Sequence, residues 1–145
     1  MLSHLDSLQQ SIFEKLRTLP ELTKIAVFKE EVFTKKQSKI FDQGMIVKIS
    51  IPLPLSASKY SAGPAFGKVA IRIAIEVYRN ASASALSPLY LGELISSKLH
   101  NWNAPLSSSY GKLSLDSQKP WELIDNNSEK ISIFLNFNTQ SVLEL

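Results

Sequence analysis

The stretch from Val69 to Tyr78 constrains the fold of this chain more than any other part of it. Val69, Ile71, Ile73, Ile75 and Val77 alternate with Ala70, Arg72, Ala74, Glu76 and Tyr78, so five β-branched residues share one face of an extended segment. Such side chains lose χ1 freedom in a helix and pack well on a pleated surface, which predicts a strand. The unbroken apolar face predicts that this strand is central. Arg72 and Glu76 share the other, polar face. Cross-strand pairing with a residue such as Lys48 is the ordinary expectation there, and a buried interfacial role is the sharper one.

Further alternation marks further strands. Val47, Ile49, Ile51 and Leu53 share one face of Met45 to Leu53, with Lys48, Ser50 and Pro52 on the other. Neither Pro52 nor Pro54 can donate to a ladder, so the end of that strand is predicted to lie at an edge or to leave the sheet. Thr23 to Phe28 is short, β-branched and aromatic, and reads as a strand. Lys112 to Asp116 reads as another, with a turn region around Lys119-Pro120. In the last strand Ile131, Ile133, Leu135 and Phe137 alternate with Ser132, Asn136 and Asn138, and Phe134 falls on the polar side against the pattern.

Two segments carry the helical period instead. Leu5, Leu8, Ile12, Phe13, Leu16 and Leu19 recur at three and four residues, predicting a helix from about Ser3 to Leu19 with Ser3 as cap and Asp6 in the first turn. Pro20 stops it, because the residue before a proline resists the α region. Ser87-Pro88 reads as an N-cap followed by proline at the first helical position, with Leu91, Leu94, Ile95, Leu99 and Trp102 on the inner stripe and Asn101 to Pro105 as the end. The order is therefore α-β-β-β-α-β-β. It predicts a single α+β domain over residues 1–145, with one mixed or antiparallel sheet and two helices packed on one face.

Residue chemistry removes many functions. The chain has 0 cysteines, which excludes disulfides, thiolate nucleophiles and Cys-ligated metals. Its net charge of +3 is well short of the basic stripe that nucleic-acid binding by counterion release requires. The start, Met1 to Asp6, has neither the basic nor the apolar region of a signal peptide, so export by that route is not expected. No apolar run reaches the ~20 residues of a membrane span.

His4 and His100 are the only histidines and lie far apart in sequence. His100 is accounted for as a cation suited to the negative end of the second helix. Gly63 to Lys68 is one residue short of a phosphate-loop spacing, lacks the magnesium-binding hydroxyl and leads into a strand. Glu30-Glu31 with Lys35, Lys36 and Lys39 reads as a solvated connection, although Phe33 and Phe41 beside those lysines make a modest basic–aromatic cluster. Asp116, Glu122 and Asp125 show no spacing that favours acid–base or cation chemistry. No catalytic, cofactor-binding or metal-binding residue is assigned.

Ser56 to Gly67 is the longest predicted loop, rich in small residues, and it carries Lys59, Tyr60 and Phe66. Tyr60, Phe66, Tyr110 and Trp121 all fall in predicted loops or turns and are candidate contact residues.

Taken together, the order of elements resembles that of the small phage tail terminator or tail-completion proteins. The resemblance lies in an amphipathic opening helix followed by a short strand, long alternating strands around a loop, a strand like Ile71 to Tyr78, and a Leu-rich helix like Leu89 to Ile95. It implies a non-enzymatic building block that forms a ring, usually of six subunits, and caps the tail tube beneath the head connector. Its partners would be further copies of itself and other tail proteins. It would be cytoplasmic before assembly and then part of the particle.

A ring needs two different complementary surfaces on each subunit. Lys59, Tyr60 and Phe66 of the loop, with Arg72 and Glu76 of the central strand, form the candidate interface. Pro52 and Pro54 depart from the family pattern and leave less ladder for pairing. Two alternatives remain: a small ligand- or peptide-binding module using the sheet–helix groove, and a single-stranded nucleic-acid binder.

Overall fold

The alternating segment around Ile73 forms the middle strand of one mixed sheet, and the remaining elements are organised around it. The computed structural model describes residues 4–22, 26–29, 45–52, 68–78, 87–105, 111–125 and 130–140. In chain order these hold α1 (His4–Arg17), a 3₁₀ turn (Pro20–Leu22), β1 (Ala26–Lys29), β2 (Met45–Ser50), β3 (Lys68–Tyr78), α2 (Pro88–Leu99), β4 (Ser114–Leu115), β5 (Trp121–Asp125) and β6 (Lys130–Gln140). The predicted α+β class, central strand and two helices are all present.

The strands are ordered β1-β2-β3-β6-β4, with β5 also pairing β6. β3 pairs antiparallel with β2 on one side and with the whole of β6 on the other. β1 runs parallel to β2, which makes the sheet mixed. The registers align into rows that cross the sheet. Lys29, Ile49, Ile73, Leu135 and Trp121 form one row, and Val27, Val47, Ile75, Ile133 and Leu123 form the next.

These rows belong to the face that carries the helices. Leu8, Ile12 and Leu16 of α1, and Leu91, Ile95 and Leu99 of α2, are fully buried in one cluster with Val47, Ile49, Ile71, Ile73, Ile75, Leu135 and Phe137. Burying each such side chain stabilises the fold by ~1.5–3 kcal/mol, and the two helical stripes supply most of what the sheet needs to cover this face.

The helix ends follow local rules. Ser87 caps α2, its hydroxyl accepting from the Tyr90 N–H at 3.5 Å, with Pro88 in the first turn. Asn101 ends the segment with φ of 65°, a left-handed conformation that asparagine tolerates well. Pro20 opens the 3₁₀ turn that follows α1, and Leu22 of that turn is buried. β2 ends at Ser50, before Pro52, as a residue lacking an N–H demands.

The region around Lys119-Pro120, predicted as a turn only, leads directly into a third late strand, β5. The expected order of five strands therefore becomes six among the described residues. The alternation in Trp121-Glu122-Leu123-Ile124-Asp125 is masked because Leu123 and Ile124 put apolar groups on both faces.

Candidate functional site

The face of the sheet opposite the helices gathers the polar half of every alternating strand. Lys48 and Ser50 come from β2, Arg72 and Glu76 from β3, Glu122 from β5, and Ser132, Phe134, Asn136 and Asn138 from β6. The two strand residues singled out from the sequence, Arg72 and Glu76, therefore stand on one face, separated by Ala74. Lys59, Tyr60, Phe66 and the rest of Ser56 to Gly67 lie outside the described residues, as do Glu30 to Phe41 and Tyr110.

Glu76 is buried, with 6% of its surface exposed. Lys48 reaches it diagonally from β2 and places Nζ 3.0 Å from Oε1, while keeping a third of its own side chain in solvent. This is the expected cross-strand pair. It supplies the charge that a carboxylate needs once water is removed from around it.

Arg72 uses its side chain differently. Its Nε donates to Asn136 Oδ1 at 3.3 Å directly across the ladder, and its guanidinium lies 4.6 Å from the centroid of the Phe134 ring. The misplaced aromatic of the last strand is thus the ring over which this cation sits.

Asn136 is the hub of this face. Its Nδ2 donates to Glu122 Oε1 at 2.8 Å and to the Lys119 carbonyl at 2.9 Å. Its backbone N–H donates to the Pro120 carbonyl, and its carbonyl accepts from the Asp116 N–H, both at 2.9 Å. Asn136 thereby fixes the turn at the point where β6 exchanges β4 for β5 as its neighbour. Within that turn Asp116 Oδ1 accepts from the Gln118 N–H at 2.9 Å and the Lys119 N–H at 3.4 Å. The Gln118 bond is the main cause holding this carboxyl below the usual range. The Lys119 N–H, Asn138 and the charge of Lys68 act the same way, and partial desolvation opposes them.

Trp121, taken from the sequence as an outward contact residue, turns inward. Its Nε1 donates to Ser96 Oγ at 3.0 Å and its ring covers Gly92 of α2, so it belongs with the core. A glycine and a serine four residues apart on a helix face were the available signal for a large ring packed there. His100 also departs from its expected part. Its Nδ1 accepts from the Leu115 N–H at 3.1 Å, so that nitrogen serves as an acceptor joining the helix end to β4.

Beyond β4, an open cleft of ≈ 500 Å³ is lined by Lys68, Gly111, Lys112, Ser114, Asn138 and Gln140 among others. Among the described residues no three His, Asp or Glu side chains gather as a metal ion would require. No helix among them is long and apolar enough to cross a membrane.

No protein-family model matches the sequence, and no curated protein matches it. The fold, in contrast, has solved counterparts. A chain in the virion of the native gene transfer agent (GTA) particle is similar over 97% of this chain and 98% of that one, with a TM-score of 0.68 at 14% identity. A second solved chain is similar over 96% of this chain and 93% of that one, with a TM-score of 0.59 at 6% identity. At these identities the likeness is one of fold.

Proposed function

We propose that this chain is a non-enzymatic structural subunit of a phage tail or phage-tail-like particle, and that it assembles into a ring through heterologous contacts between copies. The observation that carries this reading is the end-to-end correspondence with a chain of a gene transfer agent virion. It spans 97% of one chain and 98% of the other. The polar face is consistent with such a part. Lys48 is paired with Glu76, and Arg72 is held by Asn136 and Phe134, which suits a rigid building block better than a site that must change protonation state.

In this reading the subunit joins further copies of itself, six in the count that the tail-terminator resemblance implies, and other particle proteins. The loop from Ser56 to Gly67 contributes an arm to the contact through Lys59, Tyr60 and Phe66. Arg72 and Glu76 of β3 are assigned to the same contact.

Light scattering coupled to size exclusion tests the reading. The expected mass is that of several subunits, and a monomer at every concentration overturns it. Deleting Ser56 to Gly67 is expected to lower that mass, and an unchanged oligomer removes the loop from the interface. The second reading, a small-ligand module, has the open cleft between Lys68 and Lys112 in its favour, its ≈ 500 Å³ lying within the range of ligand sites. Saturable binding of a small anion by a stable monomer would establish it instead.

A further inference from the structure

Resting on the reading of this chain as a ring subunit, we propose that copies join sheet edge to sheet edge. The β5 edge of one subunit pairs antiparallel with the β1 edge of the next, setting Leu123 opposite Val27 and Trp121 opposite Lys29.

The topology supplies the first argument. Among the described strands β1 pairs only with β2, and β5 only with β6, so these strands bound the sheet on its two sides. An edge strand presents a row of backbone donors and acceptors ready to pair with another chain. β1 is parallel to β2, and both β2 and β6 are antiparallel to β3, so β1, β2 and β6 share one direction and β5 takes the other. A rotation about an axis along the strands preserves strand direction. It therefore brings the next subunit's β1 antiparallel to β5.

Register supplies the second. Cross-strand partners must share a face, which restricts the pairing to shifts of two residues. Val27 and Leu123 end the same row of the sheet, as do Lys29 and Trp121, and all four lie on the helix-bearing face. Joining the two ends of each row keeps the helix-bearing face continuous from one subunit to the next.

The surfaces fit in chemistry as well. Leu123 is 70% exposed although it lies on the face that the helices cover. α2 shelters Trp121 through Gly92 and Ser96, one row away, and leaves Leu123 outside. β5 carries Glu122 with no cation, and β1 carries Lys29 with no acid, so the two edges are complementary in charge while two β5 edges are alike.

The absence of cysteine from the chain makes the test direct. A Val27→Cys, Leu123→Cys double variant is expected to give a ladder of disulfide-linked species on a non-reducing gel, collapsing to one band with reductant. A Val27→Cys, Ile124→Cys pair, pointing to opposite faces, is expected to give none. Leu123→Arg places charge on an already solvated position, so it is expected to retain the native circular dichroism while the oligomer falls to a monomer. Covalent dimers from Leu123→Cys alone would overturn the pairing in favour of a β5–β5 contact. An oligomer that neither cross-links in the double variant nor dissociates with Leu123→Arg overturns the edge contact and leaves the ring reading standing. A wild-type monomer at all concentrations overturns both.

Discussion

Trp121 lies across Gly92, so close that a methyl group added to the glycine would stand 2.9 Å from Cη2 of the indole. The ring is held by its bond to Ser96 Oγ and cannot swing aside without losing it. A helix-interior glycine normally gains ~1 kcal/mol when replaced by alanine. Here overpacking, at ~1–3 kcal/mol, outweighs that gain. Gly92→Ala is therefore expected to destabilise the fold by about 1 kcal/mol net. In a Trp121→Ala background the same change is expected to stabilise by about 1 kcal/mol. Urea denaturation of the four proteins measures the reversal of sign, and a stabilising Gly92→Ala in both backgrounds would show that the ring does not constrain the helix.

The Lys48–Glu76 pair is asymmetric, because Glu76 is buried and Lys48 is a third exposed. Removing the lysine leaves a carboxylate in an apolar setting without that cation. Removing the acid lets the lysine turn to water. Lys48→Met is accordingly expected to cost about 3 kcal/mol, and Glu76→Gln distinctly less. Equal losses in chemical denaturation would mean that the carboxylate draws its support from elsewhere on the sheet.

The same asymmetry bears on how far the sequence can be read. β3 announces itself because each β-branched residue from Val69 to Val77 meets the same demand, burial beneath two helices, and the periodicity is a direct imprint of that. The polar partners Arg72 and Glu76 are legible as facing outward, and the pairing with Lys48 follows from strand order. Phe134 is different. Its place among Ser132, Asn136 and Asn138 contradicts a one-sided pattern, and only the diagonal approach of Arg72 across the ladder explains it. β5 was hidden for a related reason. Trp121 is partly covered by a helix that ends more than twenty residues earlier in the chain, and no pattern within β5 encodes a contact that distant. The parallel pairing of β1 with β2 is likewise not written in Ala26 to Lys29 themselves, since a four-residue strand has the same alternation whichever way its neighbour runs.

Asn136 offers a test of whether the β4–β5 turn is held from across the sheet. Its side chain serves Arg72, Glu122 and the Lys119 carbonyl at once. Asn136→Ala removes all three bonds but leaves the backbone ladder, and is expected to cost about 1–3 kcal/mol. Hydrogen exchange is expected to accelerate at Gln118 and Lys119 more than at Ile73 or Leu135. A uniform acceleration would assign the loss to global stability instead.

Asp116 sets the acid side of the stability profile. Its carboxyl is held below the usual range chiefly by the Gln118 N–H, so in the folded chain it releases its proton more readily than in the unfolded one. The stabilisation this provides is fully present above the unfolded pKa of about 4 and is lost as pH falls through the lower folded value. The group stands near solvent, so the contribution is small. The melting temperature of wild type minus that of Asp116→Asn is expected to be positive and flat from about pH 7 to about pH 5, then to shrink towards zero below about pH 4. Asparagine keeps an acceptor oxygen for the Gln118 N–H but carries no charge, so the part that vanishes with acid is the charged part of the bond. A difference that grew on acidification would mean that protonated Asp116 is the favoured form in the folded turn, contrary to the two N–H groups aimed at Oδ1.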